Sequence, residues 1–264
     1  MQSEGKNQSN PPWSRDELIL ALDLYLRHRS ALPGKHHPIV EDLSQILNSL
    51  GTATGAGKNG SFRNPNGVYM KLNNFRRWDP AFTSLGLKGL TKGNKDEGIV
   101  WAEFSDDAQH LAEVVMAIKA TVSAVRVGSI ELATEEEPGC YEAEEGRVLT
   151  RVHRIRERDK KLVRDKKTDA LKRYGRLQCE ACGFDFAQTY GADASDIIEV
   201  HHTKPLHTLL PGDKTKLSEL ALLCANCHRV VHSKRKWLTV DEVRLRFENK
   251  RDAGHPSLPF IRAT

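Results

Sequence analysis

Two Cys-x-x-Cys pairs, at Cys179–Cys182 and Cys224–Cys227, constrain the C-terminal half of this 264-residue chain more than any other feature. A tight turn with two thiolates supplies half of a tetrahedral zinc site, and two such turns complete it. The N-terminus lacks an apolar signal segment, so this spacing favours metal thiolates in a reducing compartment over disulfides. We therefore predict a cytoplasmic protein with a structural zinc site that stabilises a small domain.

Four histidines are interleaved with the cysteine pairs. His201 and His202 follow a stretch with strand character, and adjacent side chains of a strand point to opposite faces. One of them can therefore ligate a metal while the other faces a water molecule. His228 and His232 are four residues apart, which places them on one face of a helix. Because four cysteines already satisfy one zinc ion, these imidazoles suit a second, catalytic divalent metal.

Charge is distributed unevenly along the chain. Residues 131–146 contain seven Glu and no Lys or Arg, whereas residues 147–264 contain 25 Lys and Arg against 15 Asp and Glu. A basic half is typical either of a solvated surface or of a surface that binds a polyanion, and the metal ligands in the same half favour the polyanion. A basic amphipathic helix is predicted over 147–176. It suits DNA phosphates or, as an alternative, a membrane surface.

The N-terminal part predicts mainly α structure. Ser14 and Glu17 have the spacing of a capping box before an apolar helical repeat. A second helix is expected from about 39 to 50, with Gly51 as its terminator. A third is expected to follow a turn at 65–67 and to end at Asp79, and a fourth is expected from 106 to about 125. Residues 52–61 and 84–98 are predicted loops. We predict a disordered tail over 1–11, a mainly α domain over 12–130, an acidic linker over 131–146, and a basic helix with a metal-binding domain over 147–264.

Three motifs over about residues 174–233 resemble the HNH, or ββα-metal, endonucleases. They are the two cysteine pairs, the run Val200-His201-His202-x-x-Pro205-Leu206, and the run Leu223-Cys224-x-Asn226-Cys227-His228-x-x-x-His232. The resemblance implies an α+β protein in which a C-terminal ββα-metal nuclease domain carries a four-cysteine zinc site. The expected cofactors are therefore structural Zn²⁺ and a catalytic Mg²⁺ or Mn²⁺.

The same resemblance implies a role for each histidine. His202 is similar to the general base that takes a proton from the attacking water, which a neutral imidazole can do near pH 7. His201 and His228 are similar to ligands of the catalytic metal, and His232 to a further ligand or a phosphate contact. One position departs from the family pattern, because Glu219 stands where an Asn usually holds the turn that orients the base. An ionised carboxylate accepts hydrogen bonds but donates none, so Glu219 is a candidate catalytic residue whose effect on activity and metal preference is open.

Residues 12–105 resemble the front domain of bacterial HNH proteins grouped with McrA-like, modification-dependent (type IV) restriction enzymes. The residues that carry this resemblance are Trp13, Glu17-Leu18, the run from Arg63 to Leu72, and Asn74-Phe75. Basic side chains here alternate with aromatic ones, which suits phosphate binding and base stacking; the simpler interpretation is a core with a solvated rim. The predicted DNA contacts of the chain are Arg63, Asn64, Asn66, Lys71, Arg76, Arg77, Arg154, Arg158 and Arg229.

Together these features predict a metal-dependent endonuclease that cuts double-stranded DNA carrying modified bases such as 5-methylcytosine. One nuclease site per chain favours a homodimer for a double-strand break, and no apolar run is long enough to predict a membrane partner. Two alternatives remain. The first is an HNH nuclease indifferent to modification, and the second is a zinc protein that binds DNA without cleaving it.

Overall fold

The computed structural model describes residues 10–57, 62–87, 89, 95–130, 132, 142–208 and 210–252, which form a mostly helical α+β structure. Most of the predicted tail and linker lies outside these residues. The first compact unit contains the described residues among 1–134, 145–152 and 206–213; the second contains those among 135–144, 153–205 and 214–264. The predicted domain boundaries stay a prediction. Among the described residues, no helix combines the length and apolar character needed to cross a bilayer.

Helices account for most of the regular structure in the described residues. In chain order they are α1 Arg15–Arg27, α2 Pro38–Thr54, α3 Pro65–Phe75, α4 Pro80–Thr83, α5 Lys95–Phe104, α6 Ala108–Arg126, α7 Arg147–Glu157, α8 Lys160–Tyr174, α9 Phe186–Tyr190, α10 Ala225–Val231 and α11 Val240–Asp252. The strands are β1 Glu199–His202 and β2 Leu220–Leu223. Short 3₁₀ turns occupy Ala192–Ile197, Leu206–Thr208 and Leu217–Glu219.

Helix α1 forms the centre of the first unit. Every residue from Arg15 to Tyr25 is buried, and α1 packs against α2, α3, α5 and α6. The predicted capping box is confirmed, because the Ser14 amide donates to Glu17 Oε2 at 2.6 Å and the Glu17 amide donates to Ser14 Oγ at 3.4 Å. These bonds satisfy amides that a helix start otherwise leaves without partners, so the helix begins where the sequence indicated.

Helix α2 continues through Gly51 and ends at Thr54, where Gly55 adopts a left-handed conformation with φ of 73°. The prediction of Gly51 as terminator was therefore wrong. A Cβ atom on Gly51 would lie 2.3 Å from Cε1 of the buried Phe62, so the absence of a side chain serves packing within the helix. Part of the loop predicted after α2 is helical, and residues 58–61 lie outside the described residues.

The predicted third helix is confirmed as α3, but the predicted turn at 65–67 was wrong, because Asn64 is the N-cap and the helix begins at Pro65. It ends at Phe75, earlier than predicted, and Asp79 caps the short α4. Helix α5 begins inside the predicted 84–98 loop, of which residues 88 and 90–94 lie outside the described residues. The buried residues of α5 are Glu97, Val100 and Phe104. Because one of these three is a carboxylate, the sequence does not display the apolar repeat that would predict a helix.

Two cations predicted to contact DNA lie inside the first unit. Arg63 is 4% exposed, and its guanidinium donates to both carboxylate oxygens of Glu17 at 2.6 and 2.8 Å. Lys71 is 7% exposed and its ammonium group donates to Glu97. A phosphate contact requires an exposed cation, whereas breaking a buried ion pair leaves a charge without a partner. Arg63 and Lys71 are therefore withdrawn from the predicted DNA-contact set and assigned to the core.

The single basic helix predicted over 147–176 is two helices in the structure. Asp159 separates them, since its carboxylate accepts hydrogen bonds from the Lys161 and Leu162 amides and caps α8. The start of α7 is capped from within the first unit by Asp16, whose carboxylate accepts from the amides of residues 147 and 148 at 3.1 Å each. Sequence periodicity did not predict this break. Asp159 is one charged residue among many in this stretch, so it does not visibly interrupt the apolar repeat.

The second unit is built around a hairpin-like pair of strands followed by a helix. Strands β1 and β2 are antiparallel, with Val200 opposite Leu222 and His201 opposite Ala221. Helix α10 follows β2 directly and packs on both strands. The two strands, α8, α10 and α11 enclose a small core that includes three of the four paired cysteines. The predicted α+β class and the ββα order are confirmed for these residues.

Candidate metal centre and active site

The four paired cysteines meet at one point in the second unit. Their Sγ atoms all lie within 4.8 Å of one another, and Cys182 Sγ lies 3.8 Å from Cys224 Sγ. A disulfide requires about 2.05 Å between sulfurs, whereas sulfurs at the corners of a tetrahedron around zinc, each about 2.3 Å from the metal, are separated by about 3.8 Å. The predicted four-cysteine cluster is confirmed, and its donors and spacing fit a tetrahedral zinc ion.

The local backbone explains how the two pairs form the cluster. In the first pair, the amide of Gly183 donates to the Cys179 carbonyl and Gly183 takes a φ of 75°, which closes a tight turn. In the second pair, Cys224 is the N-cap of α10 and Cys227 lies in its first turn. A hydrogen bond from the Cys227 thiol lowers the pKa of Cys179 to about 4, so one sulfur is already a thiolate at neutral pH.

A second cluster of ligand atoms surrounds Glu157, the last residue of α7. Glu157 Oε1 lies 2.8 Å from His201 Nδ1, 3.2 Å from His228 Nε2 and 3.9 Å from His232 Nε2. His153, one helical turn before Glu157, places Nε2 2.8 Å from the same oxygen. One carboxylate oxygen therefore lies at the centre of four imidazoles, and three of these imidazoles belong to the residues singled out in the sequence.

The charge state of this cluster follows from its burial. Burial by itself would raise the pKa of Glu157, but the electrostatic interaction with the His153 side chain and hydrogen bonds with the surrounding imidazoles lower it well below its usual range. Burial lowers the pKa of His201, and it lowers that of His232 to about 2. Glu157 is thus an anion, and His201 and His232 are neutral donors at pH 7, which are the forms that bind metals.

His228 is held differently from the other ligands. Its Nδ1 is hydrogen bonded to Glu199, the first residue of β1, and its Nε2 faces Glu157. Burial would lower the pKa of His228, but the hydrogen bonds with Glu157 and Glu199 raise it to about 9. A carboxylate on the outer nitrogen is the usual support of a metal-binding histidine, because it fixes the ring and increases its basicity. Cation binding at Nε2 would displace the proton held there.

The donor set fits a divalent cation. His232 Nε2 and His228 Nε2 lie 3.1 Å apart, and both lie within 4 Å of Glu157 Oε1. The other nitrogen of His232 is buried and has no hydrogen-bond partner among the described residues. One carboxylate oxygen with imidazole nitrogens is a donor set that Zn²⁺, Mn²⁺ and related ions accept. The donor atoms of His153, Glu157, His201 and His232 all lie within 4.8 Å of one another and could hold such an ion, and Nε2 of His228 lies 3.2 Å from the same Glu157 oxygen.

His202 points away from this cluster, as expected for the neighbour of His201 in a strand. It is 2% exposed, with Nε2 3.3 Å from Thr215 Oγ1. Its Nδ1 has no hydrogen-bond partner within the described part of the chain. Burial lowers the pKa of His202 to about 4, so the imidazole is neutral at pH 7 and has a nitrogen available to accept a proton.

Glu219 lies at the loop that leads into β2. Its carboxylate accepts a hydrogen bond from the Lys216 amide at 3.0 Å and pairs with Lys204 at 2.7 Å. Its carbonyl accepts from the amide and the hydroxyl of Thr203, the residue that follows His202. The side chain therefore braces the loop as an acceptor, and the main chain ties that loop to the residue beside the predicted base.

The remaining predicted DNA contacts are divided between the two units and differ in their exposure. In the first unit, Asn64 and Asn66 are exposed at the start of α3, and Asn64 accepts from the Gly67 amide as its cap. Arg76 and Arg77 are half-buried and lie over the rings of Phe82 and Trp78 at about 5 Å. In the second unit, Arg154 is half-buried, whereas Arg158 and Arg229 are exposed.

Sequence reasoning missed Glu157 and His153. A signal was present, because the two residues are separated by four positions and thus share a face of α7. The basic character of the helix drew attention to its arginines instead. His153 is 1% exposed, and its ring contacts those of His201, His202, His232 and Trp237. His153 is therefore a further candidate donor of the cluster, and its ring also contacts that of the predicted base.

The comparisons with known proteins agree with this geometry. Residues 179–234 match the family model described as HNH endonuclease, which covers well under half of the chain. No curated protein and no solved structure gives a significant match. The chain therefore contains an HNH endonuclease domain at 179–234, and this domain supports a nuclease that uses divalent metal and acts on DNA.

Proposed function

We propose that this protein is a metal-dependent DNA endonuclease that uses Glu157, His201, His228 and His232 to hold its catalytic cation. The observation that carries the proposal is the convergence of one carboxylate oxygen and three imidazole nitrogens beside a buried, neutral His202. A divalent cation bound there would stabilise negative charge on the scissile phosphate and on the leaving oxygen.

In the proposed reaction, His202 accepts a proton from a water molecule while the water oxygen forms a bond to phosphorus. The bond from phosphorus to the 3′ oxygen breaks, which leaves a 5′-phosphate and a 3′ oxygen that takes up a proton. Thr215 contacts Nε2 of His202, and the brace formed by Glu219 fixes the adjacent main chain. These contacts orient the imidazole, while Glu199 orients His228.

A pair of variants tests this division of roles. His202→Ala removes the proton acceptor, so nicking of plasmid DNA is expected to fall by about 10²–10⁴-fold while Mn²⁺ binding is unchanged. Glu157→Gln removes the central anion, so both nicking and Mn²⁺ binding, measured by titration calorimetry, are expected to fall. His36→Gln, at an exposed position of the first unit, is the control. Undiminished nicking by both variants would contradict the proposal.

We further propose that the substrate is double-stranded DNA with modified bases and that the enzyme cuts it as a homodimer. Support comes from the resemblance of residues 12–105 to modification-dependent enzymes and from the separate core of the first unit, which is distinct from the HNH domain. The start of α3, where the side chains of Asn64 and Asn66 are exposed, is the part of that unit that we propose contacts DNA.

Matched DNA duplexes test the substrate. Cleavage of unmodified, cytosine-methylated, hydroxymethylated and phosphorothioated versions of one sequence is compared with Mg²⁺ and with Mn²⁺. Preference for one modified duplex is expected, and Asn64→Ala together with Asn66→Ala should reduce that preference without changing the nicking chemistry. Equal cleavage of all four duplexes would favour a nuclease that ignores modification. Light scattering with and without DNA tests the dimer.

A further inference from the structure

A third group of ligand atoms lies in the first unit, apart from both clusters described above. His110 and Glu113 are three residues apart on α6, and His207 lies in the 3₁₀ turn Leu206–Thr208. Their donor atoms all lie within 4.8 Å of one another. His207 Nε2 is 3.3 Å from Glu113 Oε2, and the rings of His110 and His207 are 4.9 Å apart.

The surroundings of His207 resemble those of a metal ligand. Its Nδ1 is hydrogen bonded to Glu145, which also accepts from the His207 amide at 3.3 Å. A carboxylate on one ring nitrogen fixes the tautomer and leaves the other nitrogen as a donor, and this arrangement is the common support of zinc-binding histidines. The other nitrogen, Nε2, lies 3.3 Å from Glu113 Oε2, and donor atoms of His110, Glu113 and His207 all lie within 4.8 Å of one another.

The second histidine is also held in position. His110 lies in the first turn of α6, and its ring stacks on the buried Phe104 with centroids 5.4 Å apart. The side chain of His207 is 13% exposed and that of Glu113 is 41% exposed, so the group is preorganised on one side and open to solvent on the other. Two imidazoles and one carboxylate with an open fourth position suit a zinc-class divalent cation.

We propose that His110, Glu113 and His207 form a further binding site for Zn²⁺ or a similar borderline cation, with Glu145 as the outer support of His207. The proposal does not depend on the nuclease function. Its effect would be to fasten the 206–208 turn, which begins four residues after β1, to α6 within the first unit. Leu206, already buried at 3% exposure, gives this turn an apolar attachment that the cation would reinforce.

Zinc counting tests the site in the full-length chain. In the chain without substitutions, we expect one zinc ion at this site after dialysis, in addition to those bound at the cysteines and at the histidine cluster around Glu157. Adding His110→Gln and His207→Gln should reduce the count by one, while the thiolate-to-cobalt absorption band of the Co²⁺-substituted protein stays unchanged. His36→Gln is the matched control. Equal counts in the double variant and the control would mean that the residues form only ion pairs.

A second measurement covers the case in which the double variant fails to fold. Glu113→Gln changes a side chain that is largely exposed and should retain the fold while lowering zinc affinity at least tenfold. Hydrogen exchange in the 206–208 segment of the unsubstituted chain should slow when Zn²⁺ is added, and an anomalous difference map from a zinc-soaked crystal should contain a peak between His110 and His207. A crystal with zinc at the cysteines and no peak at this position would overturn the proposal.

Discussion

The cysteine cluster and the histidine cluster lie in the same unit, yet they differ in how they are assembled. The four sulfurs come from two tight turns; three of the cysteines are buried in a small core and Cys182 is half-buried beside it. The histidine cluster draws its central carboxylate from α7, and its ligand His228 is 17% exposed beside the more exposed Glu199. The four thiolates complete the tetrahedral coordination of one ion and leave no open coordination position, so this closed cluster suits structure. The histidine cluster, here called the open cluster, is accessible to solvent at His228 and Glu199, which suits chemistry.

The largest expected effect comes from breaking the closed cluster. Cys224→Ser removes a thiolate from a unit with a small core, and structural zinc contributes on the order of 10 kcal/mol to folding in comparable sites. We expect loss of one zinc ion and unfolding of the second unit, measured by metal content and by hydrogen exchange. Asn226→Ser, at the exposed position between the two cysteines, is the control. A stable second unit without zinc would make the closed cluster dispensable.

A smaller structural effect is expected from breaking the open cluster. His228→Ala should lower Mn²⁺ affinity by about 100-fold or more and abolish nicking, because it removes a ligand. The free energy of unfolding should change by no more than about 1–2 kcal/mol, since no core residue is lost. Calorimetric titration and denaturant unfolding measure the two quantities. Loss of the cysteine-bound zinc in this variant would contradict the separation of the clusters.

The outer support of the open cluster should have an intermediate effect. Glu199→Gln keeps the shape of the side chain but removes the negative charge on Nδ1 of His228. Metal affinity is expected to fall by about 10-fold, within the range seen for outer-sphere partners of histidine ligands. Asp196→Asn, which removes an exposed charge nearby in the sequence, serves as the matched control. An unchanged affinity would show that Glu199 is only a surface ion pair.

The smallest effect is expected from the exposed cation next to the cluster. Arg229 follows His228 on α10, and Arg229→Ala should weaken DNA binding a few-fold at all sequences. The slope of log K against log salt should fall by about one, because a single phosphate contact is lost. Fluorescence anisotropy over a salt series measures this slope. An identical slope would remove Arg229 from the DNA-contact set.

These contrasts show which parts of the molecule were accessible from sequence. The capping box at Ser14, the helix after Asn64 and the four-cysteine cluster depend on short, fixed spacings, and the structure contains all three. The convergence of His201 with the histidines that follow Cys227 was also expected, because the resemblance to HNH endonucleases implies it. Local spacing is visible in a single sequence, and these features need nothing more.

The parts that were missed depend on contacts between distant residues. Glu157 lies 44 positions before His201, and no local pattern links a carboxylate in a basic helix to histidines so far along the chain. The core positions of Arg63 and Lys71 were hidden for the same reason, since each is buried only because a distant carboxylate pairs with it. Because Arg63 and Lys71 are charged, the sequence indicated that they are exposed. Their ion pairs with Glu17 and Glu97 instead allow them to be buried.

Helix α10 has only seven residues, and it carries Cys227 in its first turn and His228 in the next position. Each residue added to an α-helix rotates the remainder of the helix by about 100°. A single insertion between Cys227 and His228 would therefore leave the zinc ligands in place and turn both histidines away from Glu157. The relative position of the two clusters thus depends on the number of residues between Cys227 and His228.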